Sequence, residues 1–132
     1  MSWVIDASIA LAWCFEDERD ESSDALLDRA TSDPIDVPDL WVAEVANVLA
    51  LAVRRGRLRR QDAARFTELL RALPIASHPP ASIDALVTIA HETGLTAYDA
   101  TYLELAARLG APLATRDDRL ARAARARGVA LI

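Results

Sequence analysis

The sequence predicts an α/β fold in which a short central parallel sheet is flanked by helices on both faces. Short apolar runs alternate along the chain with longer segments of helical periodicity, as in βαβ units. The runs are continuously apolar, which is typical of parallel strands buried on both faces. With 132 residues, of which 52% are apolar and 27% charged, the chain is expected to form one domain over residues 1–132.

The first half of the chain is predicted to contain two strands and four helices. The strands are Trp3–Ile5 and Ile35–Val37, and the helices are Ala7–Phe15, Asp20–Thr31, Leu40–Arg55 and Gln61–Leu73. The second helix is expected to turn Ala25–Leu27 inward. Asp39 is positioned to cap the third helix. Pro38 and Pro74 end the elements before them, because proline lacks a backbone N–H.

The second half continues the alternation. Ile75–Ser77 is either a third strand or an extended link. The other predicted strands are Pro112–Thr115 and Val129–Leu131, and the predicted helices are Ser82–Thr93, Ala97–Leu109 and Asp118–Arg127. Gly94 and Gly110 mark two of the helix ends, since glycine is the residue that most often follows the last turn of a helix.

Composition excludes several classes of site. The chain has 15 basic residues, all arginine, so it cannot form a P-loop, Schiff-base or kinase-type site that requires lysine. The single cysteine, Cys14, excludes an intramolecular disulfide and a cysteine-based zinc cluster, and it fits a reducing cytoplasm. The apolar start, Met1–Phe15, lacks the features of a signal peptide, and no apolar run is long enough to span a membrane. A cytoplasmic protein is therefore expected.

The formal net charge of -5 averages two unlike parts of the chain. Residues 1–50 contain 12 acidic residues and 2 arginines, whereas residues 51–132 contain 8 acidic residues and 13 arginines. This asymmetry hints at a surface that contacts a polyanion, although the net charge alone argues against one.

Four carboxylates lie where a stable core would not place them. Asp6 directly follows the first strand, and Asp117 lies two residues beyond the strand Pro112–Thr115. In open α/β sheets the carboxyl ends of the strands form one ligand-binding edge, so these two acids are expected to lie close together. Glu44 and Asp99 lie on apolar faces of their helices, where an unpaired charge is costly.

Each of these acids also has a purely structural interpretation. Thr96–Asp99 and Thr115–Asp118 have the form of a capping box, Asp6 could cap the helix after it, and Glu44 could pair with an arginine. Taken together, however, four carboxylates at one edge would repel one another unless a cation lay among them. Oxygen ligands without cysteine or clustered histidine favour Mg²⁺ or Mn²⁺.

Four motifs, in order along the chain, match a known family. They are Val4–Ser8, Pro38–Leu49, Leu95–Leu103 and Leu113–Leu120. With these motifs along essentially its whole length, the chain resembles the PIN-domain ribonucleases, in particular the VapC toxins of bacterial toxin–antitoxin pairs. The resemblance implies a PIN-like fold and a metal-dependent endoribonuclease whose cleavage leaves a 5′-phosphate and a 3′-hydroxyl.

The resemblance also implies roles for single residues. The four acidic active-site residues would be Asp6, Glu44, Asp99 and Asp117, and the supporting polar residues would be Ser8, Asn47 and Thr115. Among them, Mg²⁺ or Mn²⁺ would be held by Asp6, Asp99 and Asp117, while Glu44 would place the attacking water or bind a second ion. Asp118 adjoins Asp117 and could share its role, but the Thr-x-Asp spacing favours Asp117.

The partners implied by the resemblance are an RNA substrate, a VapB-like antitoxin and a second copy of the chain, with no membrane. Arg116 and Arg119 would flank the acidic site and are expected to meet RNA phosphates. The Arg54–Arg60 cluster fits an RNA-binding surface or a solvated helix face equally well. The acidic segment Glu16–Glu21 fits either a docking surface for a basic antitoxin peptide or a solvated loop.

Two other functions are compatible with part of the pattern. A Mg²⁺-dependent phosphatase of the haloacid-dehalogenase kind also has an Asp after its first strand. It requires a second Asp where this chain has Ser8, and a lysine that this chain lacks. The other alternative is a non-catalytic PIN-like domain that binds RNA or protein and uses its acids as helix caps.

Overall fold

The computed structural model describes all residues of the chain, Met1–Ile132. Its strands are β1 (Trp3–Ile5), β2 (Ile35–Pro38), β3 (Ile75–His78) and β4 (Leu113–Ala114). Its helices are α1 (Ala7–Cys14), α2 (Glu21–Ala30), α3 (Asp39–Arg54), α4 (Arg60–Ala72), α5 (Ile83–Thr93), α6 (Ala97–Leu109) and α7 (Asp118–Ala126). A short 3₁₀ turn, Glu16–Glu18, follows α1. None of the helices is both long and apolar enough to cross a membrane.

The four strands form one parallel sheet in the order β3-β2-β1-β4. This confirms the predicted α/β class and shows that the segment left open by the sequence is a strand, β3. From β1 the chain moves outward to β2 and β3 on one side and later adds β4 on the other. The topological switch point, where ligands bind such sheets, is therefore between β1 and β4. Because Ile5 pairs with Ala114, the next residues on these two strands are Asp6 and Thr115.

Helices cover the sheet on both faces. Trp3, Val4 and Ile5 are all fully buried, although successive side chains of a strand point to opposite faces. Helices α1 and α3 contact each other and the sheet, α6 packs against β1 and β2, and α5 and α7 pack against α6. Few polar residues are buried in this arrangement, and Asp6, at the carboxyl end of β1, is one of them.

The predicted last strand, Val129–Leu131, is reduced to a single parallel bridge between Leu131 and Leu113. The Leu113 N–H donates to the carbonyl of Ala130 at 2.8 Å, and the Ile132 N–H donates to the carbonyl of Leu113 at 3.1 Å. Because β4 is only two residues long, it offers too little edge for a further strand to pair with.

Two details of the predicted helices are wrong. Asp39 is the first residue of α3, and Pro38 holds the cap position. On α2, Ala25 is exposed, whereas Leu26 and Leu27 are half-buried. Consecutive residues of a helix are about 100° apart, so three in a row cannot all face the core.

Candidate active site

Asp6 lies at the carboxyl end of β1 and is only 7% exposed. It is the N-cap of α1, because its side chain accepts a hydrogen bond from the backbone N–H of Ile9 at 3.3 Å. The Ser8 hydroxyl donates to the same carboxylate oxygen at 2.5 Å, and the Thr115 hydroxyl donates to the other oxygen. The cap and the hydrogen bonds together hold the carboxylate at the edge of the sheet, so its structural and active-site interpretations are compatible.

Ser8 and Thr115 connect the two strands that meet at the switch point. The Thr115 hydroxyl donates to Asp6 and accepts from the backbone N–H of Asp117 at 3.0 Å. The Ser8 hydroxyl accepts from the backbone N–H of Arg116 at 3.1 Å. Two of the three predicted supporting residues therefore contact Asp6, and they join the end of β1 to the loop between β4 and α7.

Asp117 is the N-cap of α7. One oxygen of its carboxylate accepts from the backbone N–H groups of Arg119, at 2.8 Å, and Leu120, at 3.3 Å. The structural interpretation of Thr115–Asp118 as a capping box is wrong, because Asp117 is the N-cap and the Thr115 hydroxyl donates to Asp6. Asp118 is exposed in the first turn of α7, whereas Asp117 is half-buried. This geometry favours Asp117 as the acid of the site.

Glu44 projects from α3 and is half-buried, and its carboxylate accepts a hydrogen bond from the phenolic hydroxyl of Tyr102 on α6. The partner of Glu44 is thus a tyrosine and not the arginine that the sequence allowed. Burial and the neighbouring carboxylates raise the pKa of Tyr102, so the phenol keeps the proton that it donates. The sequence motifs assigned no role to Tyr102. The available signal was its position one turn beyond Asp99 on the same helix.

Asp99 lies in the first turn of α6. Its backbone N–H donates to the Thr96 hydroxyl at 3.1 Å, so Thr96 caps the helix as predicted. Burial, followed by the charge of Asp117, raises the pKa of the Asp99 carboxyl, while Arg119 lowers it. The charges of Asp117 and Arg119 thus act on Asp99 in opposite directions.

The four acids are electrostatically coupled. Burial is the main cause that raises the pKa values of Asp6, Glu44 and Asp99. In addition, the charges of Asp99 and Asp6 raise the pKa of Glu44, and Asp117 raises that of Asp99. Arg119 is the only basic side chain that lowers any of these three pKa values. The edge between β1 and β4 therefore carries acidic groups that the protein's own cations leave largely uncompensated.

The donor chemistry of this edge suits a hard divalent cation. All four side chains are carboxylates, and a cation among them would relieve their repulsion. No three His, Cys, Asp or Glu side chains stand close enough together to form a ligand shell. The residue types therefore fit Mg²⁺ or Mn²⁺, and binding requires the carboxylates to draw closer.

Three other predicted residues lie at the margin of the cluster. Asn47 is exposed on α3, one turn beyond Glu44. The Arg116 guanidinium donates to Asp20 and to a backbone carbonyl of the adjacent turn, each at 2.9 Å. Two of its five N–H groups are therefore engaged within the protein. Arg119 is exposed.

Comparison with solved structures supports the fold. The chain aligns over 99% of its length with PAE2754 from Pyrobaculum aerophilum, covering 83% of that chain, at 24% identity and a TM-score of 0.75. FitAcB from Neisseria gonorrhoeae gives a TM-score of 0.70 at 20% identity, with 100% of this chain and 96% of that chain covered. VapBC2 from Rickettsia felis gives 0.69 at 14% identity, with 100% and 98% covered.

Sequence comparison identifies the family. The chain is 36% identical over 125 residues to Ribonuclease VapC3 of Pyrobaculum aerophilum, covering 92% of this chain and 93% of that protein. It is 32% identical over 117 residues to Ribonuclease VapC9 of Mycobacterium tuberculosis, covering 89% and 87%. A model of the PIN domain matches residues 3–126. The chain therefore belongs to the PIN-domain family and, within it, to the VapC type.

Proposed function

We propose that this chain is an endoribonuclease that hydrolyses RNA phosphodiester bonds with the help of a divalent cation and acts as the toxin of a toxin–antitoxin pair. The observation that carries the proposal is the coupling of Asp6, Glu44, Asp99 and Asp117 at the edge between β1 and β4. The similarity to Ribonuclease VapC3 supports the choice of RNA as the substrate. The lack of lysine still argues against a phosphatase of the haloacid-dehalogenase kind.

In this proposal, Mg²⁺ or Mn²⁺ would be held by Asp6, Asp99 and Asp117. When bound, such an ion neutralises phosphate charge and lowers the pKa of a coordinated water. Asp6 contributes a carboxylate whose direction is fixed by the Ser8 and Thr115 hydroxyls. Asp6 is therefore the oriented ligand, toward which Asp99 and Asp117 would move when an ion binds.

Glu44 activates or positions the attacking water in this proposal. The Tyr102 hydroxyl holds one oxygen of its carboxylate, which leaves the other oxygen to accept a proton from the water or to bind a second ion. Its pKa is raised, by burial first and then by Asp99 and Asp6, which makes it a stronger base than an exposed glutamate.

The test is cleavage of RNA by the wild type and by Asp6→Asn, in the presence of Mg²⁺ and of a chelator. Asparagine keeps the size of the side chain and caps helices as well as aspartate does, so the fold should persist. Cleavage should fall by roughly 10²-fold or more. Asp118→Asn, which alters an exposed acid beside the site, is the matched control and should cleave like the wild type. Undiminished cleavage by Asp6→Asn in excess Mg²⁺ would contradict the assignment.

The protein partner in this proposal is a VapB-like antitoxin, and the chain would act in the cytoplasm as a homodimer. The acidic segment is less available to a basic peptide than its sequence suggested, because Arg57 pairs with Asp17 and Glu18, and Arg116 pairs with Asp20. Coexpression with the product of the adjacent reading frame should abolish toxicity and yield a stable complex. A product that neither binds nor neutralises the chain would exclude it as the antitoxin.

A non-catalytic binding domain is the second candidate. It is favoured by the caps that Asp6 and Asp117 form and by the lack of a ready ligand shell. Full toxicity of an Asp99→Ala variant would support it over the nuclease.

A further inference from the structure

A groove of about 500 Å³ runs beside the acidic cluster, between α7 and the junction of α5 and α6. The α7 side is formed by Arg119, Arg122 and Arg127, with small alanines between them. The opposite side is formed by Glu92, Thr93, Gly94 and Leu95.

The groove contains arginines that the protein does not pair. Nine of the 15 arginines form ion pairs with acidic side chains. The other six fall into two groups, Arg54, Arg55 and Arg60 near the start of α4, and Arg119, Arg122 and Arg125 on α7. Of the α7 group, Arg119 and Arg122 line the groove and Arg125 does not. The Glu92 carboxylate pairs with Arg127 at 2.8 Å, so the lining is net positive and keeps two arginines without an ion pair, Arg119 and Arg122.

The groove opens at the acidic cluster. The backbone N–H of Arg119 donates to the Asp117 carboxylate at 2.8 Å, and Leu95, on the opposite side of the groove, directly precedes the turn Thr96–Asp99. Arg122 follows one turn later, about 4.5 Å further along the helix axis. Positive charge thus continues outward from the edge at which a phosphodiester would be cleaved.

We propose that this groove binds the ribose–phosphate backbone of single-stranded RNA on one side of the scissile bond. The inference rests on the proposed nuclease function and names the path of its substrate. Guanidinium groups one turn apart can each contact a phosphate, with bidentate geometry that suits its oxygens. Leu95 and the small residues of α7 leave room for the sugar. Such contacts supply affinity without base readout, so the groove favours RNA of any sequence.

The experiment compares substrates that share one cleavage site and differ in the length of RNA on one side or the other. For the wild type, kcat/KM should rise when the RNA is extended on the side that enters the groove. In Arg122→Gln this gain should shrink by about tenfold. Arg125→Gln, which removes another exposed charge from the same helix outside the groove, should keep the gain.

A binding measurement separates this inference from the proposed function. In an Asp6→Asn background, the slope of log affinity for RNA against log salt should fall by about 0.7 when Arg122→Gln is added. If the wild type cleaves RNA but Arg122→Gln and Arg125→Gln behave alike in both assays, the groove inference is overturned and the nuclease proposal stands. If RNA is never cleaved but the salt slope changes as expected, the groove stands and the nuclease proposal fails. Loss of binding to polyglutamate, with RNA binding unchanged, would identify a protein-binding groove instead.

Discussion

Asp6 and Asp20 hold the same position in two different helices, yet their surroundings are opposite. Each is an N-cap, Asp6 of α1 and Asp20 of α2. Asp20 is exposed, and its pKa is lowered by the backbone N–H of Ser23 and by Arg116. Asp6 is buried without a cationic partner, and burial raises its pKa. One aspartate is placed where its charge is stabilised, and the other where its charge is costly.

The difference extends to the regions around them. In the acidic segment near α2, Arg57 reaches Glu18 at 2.8 Å and Arg19 reaches Asp24 at 3.0 Å. At the edge between β1 and β4, the acids instead raise one another's pKa. A chain with 15 arginines could have compensated both regions. Acidic charge that is left uncompensated in a buried position is a sign of a functional site, because stability alone would not retain it.

The largest effect that would test this comparison is the dependence of stability on pH. The ordinary pKa values are 3.8 for Asp6 and Asp99 and 4.5 for Glu44, and all three are raised in the folded chain. Folding therefore favours the protonated carboxyls. Their contribution to stability is fully present below about pH 4 and is lost as the pH rises through the folded-state values. We expect the metal-free protein to lose stability over this range, as measured by urea unfolding at a series of pH values.

Two controls sharpen this measurement. Three acids outside the site, Asp20, Asp62 and Asp84, have lowered pKa values and act in the opposite direction. The contribution of the site is therefore measured as the difference between the stability curves with and without Mg²⁺. Mg²⁺ should restore stability at neutral pH in the wild type. Identical pH curves with and without Mg²⁺ would show that the site does not behave as an uncompensated carboxylate cluster.

A smaller effect of the same origin is expected from single substitutions. Asp6→Asn should raise the free energy of unfolding of the metal-free protein at neutral pH, by on the order of 1 kcal/mol, because it removes a buried charge and retains the cap. Asp20→Asn should lower it, because it removes the ion pair with Arg116. Thermal unfolding of both variants in the presence of a chelator measures whether each substitution raises or lowers the free energy of unfolding. The comparison fails if both substitutions change it in the same direction.

The smallest effect is expected at Arg57, which bridges Asp17 and Glu18 and lies 3.8 Å from the centre of the Phe15 ring. Its ion pairs are solvent-exposed, and such pairs contribute little to stability. Arg57→Gln should lower the melting temperature less than Asp20→Asn does, and the difference from the wild type should shrink at high salt. A loss larger than that of Asp20→Asn would mean that the acidic segment is a structural centre in its own right.

The sequence predicted the elements well where a local signal marks their ends. Trp3–Ile5 and Ala97–Leu109 have the predicted bounds, because an apolar run stops at Asp6 in one case and Thr96 and Gly110 flank the helix in the other. The last strand was not predictable, since its pairing depends on the length of β4 and not on its own composition.

Within the site, position along the strands was enough to bring Asp6 and Asp117 to one edge. The hydrogen-bond partners of the side chains could not be predicted in this way, because they depend on contacts between distant parts of the chain. Thr115 satisfies the hydrogen-bond rules of a cap equally well, and only the pairing of β4 with β1 directs its hydroxyl to Asp6. Similarly, the contact of Glu44 with Tyr102 depends on how α3 packs relative to α6.

The central place of β1 in the sheet has a consequence for the order in which the site is built. β1 is the first strand to be synthesised, yet its neighbour β4 begins at Leu113, and the hydroxyl that fixes Asp6 comes from Thr115. A nascent chain therefore carries Asp6 throughout the synthesis of residues 7–116 but lacks a complete site until Asp117 has left the ribosome. The long sequence separation across this edge makes closure of the site a late, non-local step of folding. The domain thus stays without a complete site while most of its residues are translated.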